Sequence, residues 1–134
     1  PCRSHVAELD GFAETDQHHR LALTDAFSAV NSYEDRPWAP GNLVNPSVAS
    51  GCLIKVLHYD PLTEALSFLY CMTPQFAQDN ISYHDSAEES YHIWGTSWMM
   101  QFGELPTGGY FWRPPYINPG ALRCTHGTIA ILAW

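Results

Sequence analysis

From Cys52 onward the chain alternates short apolar runs with turn-forming residues, and that texture decides the fold class. "CLIKVLHY" is strand-like, "DPLTEA" is a turn, and "LSFLYCM" puts Leu66, Phe68, Tyr70 and Met72 on one face by the period of two. "TPQFAQD" reads as a second turn. "NISYH", "ESYHIW", "TSWMMQF", "GGYFW", "ALRC" and "TIAILAW" follow as further short strands. No helical periodicity interrupts them, and no internal repeat or low-complexity segment is present. Short strands at this spacing predict an all-β sandwich or barrel over residues 52–134.

Residues 1–51 have a different texture. Thr24-Asp25 ahead of Ala26, Phe27 and Val30 suits a short helix with a polar cap. "RPWAPGNLVNPSVASG" then reads as an irregular arm that packs through Trp38. The expected organisation is a partly helical N-terminal arm, 1–51, and one β domain, 52–134. A chain of 134 residues, 46% of them hydrophobic, is enough to close a single core.

Charge and hydropathy restrict the partners. The formal net charge is −8, with only 6 Lys+Arg, so the cationic surface that a nucleic acid or anionic membrane requires is missing. No apolar run approaches the ~20 residues of a membrane helix, and no signal-like apolar stretch opens the chain at Pro1. The expectation is a soluble chain, cytoplasmic by preference. Cys2, Cys52, Cys71 and Cys124 form no CxxC pair, which argues against a zinc knuckle. Cys52 and Cys71 sit in apolar strand runs, where a free buried thiol is the simpler reading than a disulfide.

The chemistry-bearing residues concentrate in "YHDSAEESYHIWG", residues 83–95, and in "GELPTGGYFWRPPYINPG", residues 103–120. His84 is followed by three residues, then Glu88, then six residues, then Gly95. Gly108, "GYFWR" and Pro114 come later. These spacings resemble the two cupin motifs, G-x5-H-x-H-x(3,4)-E-x6-G and G-x5-P-x-G-x2-H-x3-N. The second segment is especially similar to the branch that includes the anti-sigma-factor ChrR-like domains. "IKVLHYDPLTEALSFLYCM" resembles the strand–turn–strand that precedes the first motif there. The resemblance covers residues 52–134 and implies a small antiparallel cupin-type β-barrel of the jelly-roll kind.

In that family two histidines and a glutamate of the first motif, with a histidine of the second, hold a metal ion. Carried over position by position, these fall on Ser82, His84, Glu88 and Pro119. Proline has no donor atom, and a serine hydroxyl is a poor ligand for a first-row transition metal. His92 shares a strand face with Glu88, yet four strand residues span ~13 Å at about 3.3 Å each, too far for one ion. The expectation is therefore no catalytic metal and no cofactor.

A barrel of this kind would still enclose a small-molecule pocket. Glu88 and His84 are the candidate catalytic pair, with Glu88 as a desolvated acid/base. Ser82, Tyr91, His92, Trp98, Arg113 and Tyr116 are candidate substrate-binding residues. The same residues have plainer readings: Glu88 as a structural partner of Arg113, His92 as a hydrogen-bonded core histidine, the surrounding Tyr and Trp as core, and His18-His19 as a solvated pair. Gly108-Gly109 reads as a turn needing positive φ, and Pro114-Pro115 as a rigid corner. The function these features suggest is a metal-independent enzyme for isomerisation, elimination or cyclisation of a small apolar or aromatic molecule. The alternatives are a metal-dependent cupin dioxygenase and a non-catalytic small-molecule-binding cupin. Open strand edges suggest a homodimer.

Overall fold

The structure, a computed structural model, describes residues 31–32, 34–79, 84–118 and 120–134. The helix expected near Thr24–Val30, the His18-His19 pair, Cys2, Ser82 and Pro119 lie outside the described residues. The described chain is built from β-strands: β1 Ala39–Pro40, β2 Cys52–Tyr59, β3 Leu66–Met72, β4 Phe76–Gln78, β5 Glu88–Gly95, β6 Ser97–Met99, β7 Gly103–Leu105, β8 Tyr110–Arg113, β9 Leu122–Cys124 and β10 Thr128–Ala133. A 3₁₀ turn at Gly41–Leu43 is the helical element among the described residues.

The strands form two antiparallel sheets. One has the order β1-β2-β3-β10-β5-β8, the other β4-β9-β6-β7. β10, last in sequence, lies between β3 and β5, so the first sheet is closed by a long-range crossover. The all-β expectation holds. Strands β2 and β3 have the bounds read from sequence. Two differences are local. "TPQFAQD" contains β4, which pairs with β9, and "GEL" is β7, which pairs with β6. Three residues are too few to show a period, so tertiary pairing alone defines these strands.

Alternation builds the core. Leu66, Phe68, Tyr70 and Met72 of β3 are all buried, with Ile54, Ala130 and Leu132 from the flanking strands. Val44 of the arm joins this cluster, and Ala39 and Pro40 pair with Ile54 and Leu53. Trp38 meets the sheet through Lys55, whose ammonium lies 5.0 Å from the ring centroid and donates to the Ser32 carbonyl. Met99, Leu105 and Phe111 make a second buried group. Cys52, Cys71 and Cys124 are free thiols. Burial pushes the Cys52 thiol up to about 12, so it is an uncharged wall residue.

Two glycines fix the ends of β5 and β8. Gly95 has φ +81, and a Cβ there would lie 2.2 Å from the Gly127 carbonyl oxygen. Gly108 has φ +83, as the expected turn requires, whereas Gly109 owes its identity to the nearby Pro106 carbonyl.

Candidate active site

β5 is an unusual strand. Its buried face carries Glu88, Ser90 and His92, while Glu89, Tyr91 and Ile93 point out. β8 pairs with it so that Glu88 stands opposite Arg113 and Ser90 opposite Phe111. The period of two then sends Phe111 and Arg113 inward and Tyr110 and Trp112 outward. Glu88 and Arg113 are 4% and 5% exposed. Arg113 donates to Glu88 Oε2 through Nε at 2.7 Å and also through Nη2.

His84 lies in the loop just before β5, four residues before Glu88. Its Nε2 is 3.3 Å from the same Glu88 Oε2. The ring stacks on Trp134 with centroids 4.5 Å apart. Burial lowers the His84 pKa below its ordinary value, against the opposing pull of the Glu88 carboxylate. The ring is therefore neutral at neutral pH, in the tautomer that donates Nε2–H to Glu88. The loop is held by a hydrogen bond from the Tyr116 N–H to the His84 carbonyl, 2.8 Å.

These three side chains line a cavity of about 110 Å³ between the two sheets. The rest of the wall is mainly apolar: Ile54, Phe68, Met72, Phe76, Met99 and Leu132 are typical of it. Gly41, Val44 and Val48 of the arm contribute to one part of the wall, and Gln78 adds an amide. Since a single water needs roughly 10–15 Å³ by a comparable measure, the space suits a molecule of about seven to eleven heavy atoms.

The expected site residues separate into groups. Glu88, His84 and Arg113 come together in the cavity wall. His92 is fully buried but is no part of that wall: its Nε2 is 2.8 Å from Ser97 Oγ and 3.5 Å from the Tyr70 hydroxyl. Tyr91, Trp98 and Tyr116, expected to bind substrate, are instead exposed and line no part of the cavity. Their parity or loop position turns the rings outward, as it does for Tyr110 and Trp112, whereas Trp94 is exposed past the register shift opposite Ile129 and Ala130. The aromatic wall comes from Phe68, Tyr70, Phe76, Phe111 and Trp134. The Glu88 carboxylate accepts from an arginine, the pairing that the plainer reading of the sequence gave it. The signal for this was Arg113 itself, whose register against Glu88 no local pattern fixes.

Counting through the second motif places Tyr116 where the pattern has its glycine. Tyr116 has φ 64, in the left-handed region that glycine adopts without cost.

Neither a protein-family model nor a curated protein matches the sequence. Solved structures do. An acetylacetone dioxygenase from Acinetobacter johnsonii superposes with a TM-score of 0.64 at 10% identity, over 82% of this chain and 73% of that one. An RmlC-like cupin from Shewanella frigidimarina NCIMB 400 gives 0.61 at 17% identity, over 82% of this chain and 89% of that one. The anti-sigma ChrR in complex with SigE, from Rhodobacter sphaeroides, gives 0.53 at 14% identity, over 63% of this chain and 44% of that one. At these identities the likeness is one of fold.

Proposed function

The chain has the cupin fold, and we propose that it is an enzyme that moves a proton on a small, mostly apolar organic molecule held between the two sheets, with no metal at the His84–Glu88 position. The observation that carries this reading is the His84–Glu88–Arg113 cluster set into an otherwise apolar cavity. His84 is the proton carrier. It is neutral, and Glu88 holds its Nε2 as a donor beside the cavity. Glu88 orients the imidazole and Arg113 anchors Glu88. Isomerisation, elimination and cyclisation are the reaction classes such a site serves.

The donor set supports the metal-free part. Among the described residues, no three His, Cys, Asp or Glu come together as a ligand group. Ser82 and Pro119 stand at the family's remaining ligand positions. The Arg113 guanidinium sits against the Glu88 oxygen, where a second cation would meet it in contact. The residues therefore do not fit the family's metal.

Residues 1–51 act in this reading as an arm on the barrel domain 52–134, since Gly41, Val44 and Val48 help to close the cavity. A homodimer belongs to it too, supported by the outward aromatic residues Tyr91, Tyr110 and Trp112; sedimentation velocity checks it. No helix among the described residues is long and apolar enough to cross a membrane.

The test follows deuterium entering small 1,3-diketones and hydroxyketones in D₂O by NMR, with and without chelator. Catalysed exchange should survive chelation and fall by ~10²–10⁴-fold in a folded His84→Gln variant. Full exchange in that variant would remove His84 from its role. The second reading is a metal-dependent dioxygenase, favoured by the likeness to the acetylacetone dioxygenase. Oxygen uptake with acetylacetone that requires added iron would establish it. Saturable binding with no turnover in either assay would leave a non-catalytic binding protein.

A further inference from the structure

Among the described residues, the hydrogen bonds and ion contacts made by the Glu88 carboxylate converge on one atom. Arg113 Nε and Nη2 and His84 Nε2 all address Oε2. Oε1 has no partner among the described residues. Arg113 is likewise half used: Nη1 is buried and has no partner among the described residues. Glu88 and Arg113 both line the cavity, and the two side chains, locked to each other, leave one carboxylate oxygen and one guanidinium N–H without a partner among the described residues. Leaving a buried polar group without its hydrogen bond is costly, so a ligand that supplies both partners gains from each.

The charge of the cavity restricts that ligand further. Glu88 and Arg113 are the carboxylate and the guanidinium of the wall, and they neutralise each other. A ligand carboxylate entering here brings a second anion beside Glu88 with no second cation to balance it, and a buried unpaired charge is strongly unfavourable. A hydroxyl is at once a donor and an acceptor and carries no charge. Resting on the reading of this cavity as the substrate site, we propose that it selects neutral hydroxyl compounds (alcohols, phenols or enols) with an apolar body of about six carbons, the O–H donating to Glu88 Oε1 and the oxygen accepting from Arg113. The apolar body lies along Phe68, Met72, Met99 and Leu132. The size follows from the cavity volume.

Three probes of matched length separate the parts of this proposal: 1-hexanol, its isosteric ether 1-methoxypentane, and hexanoate. Their binding to the intact chain is measured at pH 8 by ligand-observed NMR, which needs no turnover. Hexanol should bind about tenfold or more tighter than the ether, because the ether lacks the donor for a charged acceptor. It should bind tighter than hexanoate by at least about the same factor. Glu88→Gln removes the carboxylate charge and leaves Arg113 uncompensated, so the hexanol-to-hexanoate ratio should move toward hexanoate by about tenfold or more. A melting curve confirms that this variant is folded, and the wild-type ratios stand without it. An ether that matches hexanol, a hexanoate that matches or exceeds it, no binding of any probe, or an unchanged ratio in folded Glu88→Gln each overturns the proposal. Hexanol selectivity without proton-transfer activity would sink the enzyme reading while leaving this one in place.

Discussion

β3 and β5 both pair with β10, on its opposite sides, and they are built to opposite plans. β3 turns Leu66, Phe68, Tyr70 and Met72 inward, as a strand facing a core should. β5 turns Glu88, Ser90 and His92 inward and leaves Tyr91, Ile93 and Trp94 exposed. The backbone ladder accepts either plan, since its hydrogen bonds do not depend on side chains. What differs is how the buried face is satisfied. The β3 face needs only apolar contact. The β5 face needs specific partners for its carboxylate and its ring: Arg113 for Glu88, and Ser97 and Tyr70 for His92. One wall supplies the core and the other holds groups that a fold alone does not require.

The largest expected effect breaks this contrast at the ion pair. Arg113→Leu leaves Glu88 buried without its cation and should cost ~3–5 kcal/mol of stability. Glu88→Leu combined with Arg113→Leu should recover most of that, because burying neither charge is often neutral. Denaturant midpoints of the two singles and the double give the coupling. Phe68→Ala on the β3 wall should also cost ~3–5 kcal/mol, from a cavity that no charge removal repairs. An Arg113→Leu protein within about 1 kcal/mol of wild type would mean that the polar wall is held by something other than the pair.

Acid sharpens the same contrast with a smaller effect. Burial lowers the pKa of both His84 and His92 in the folded chain. The unfolded chain then binds protons more readily, so the stability these neutral rings contribute is complete above the ordinary histidine value near 6.5. It is lost as pH falls below that value toward the depressed folded pKa. The one titratable group of the β3 inner face, Tyr70, is pushed up by burial and stays neutral throughout. Thermal melts between pH 8 and pH 5 should therefore show a falling midpoint. In His92→Asn the fall should be shallower. An equal fall in that variant would assign the acid sensitivity elsewhere.

The two walls were also unequally legible in the sequence. Strict alternation made the inner face of β3 readable residue by residue. Alternation also put Glu88, Ser90 and His92 on one side of β5 and Tyr91 on the other, but it does not say which side is inside. Tyr110, Trp112 and Arg113 could be sorted only once the β5–β8 register was known, because register is a property of two strands. The spacing from His84 to Gly95 placed the site at the start of β5. The cavity wall given by Val44 and Gln78 was invisible for the same reason as β4: short segments far apart in sequence meet only in the folded chain.

The smallest effect concerns how the polar wall is ended. β3 starts plainly, with Leu66 and Trp134 exchanging backbone hydrogen bonds. Upstream of β5, His84 must be held without a ladder, and Tyr116 does this by donating its N–H to the His84 carbonyl. It does so from φ 64, where an L-residue is strained by ~1–2 kcal/mol and glycine is not. Glycine costs the folded state ~0.5–1 kcal/mol in chain entropy. Tyr116 is 69% exposed, so little buried area is lost with its ring. Tyr116→Gly should therefore raise stability, by up to ~1 kcal/mol. Tyr116→Ala keeps the strain and removes the ring, so the difference between the two variants isolates the backbone. Equal stabilities for Gly and Ala would show that the left-handed conformation is not what the position demands. A Gly variant less stable than Ala would show that the chain entropy outweighs the relieved strain.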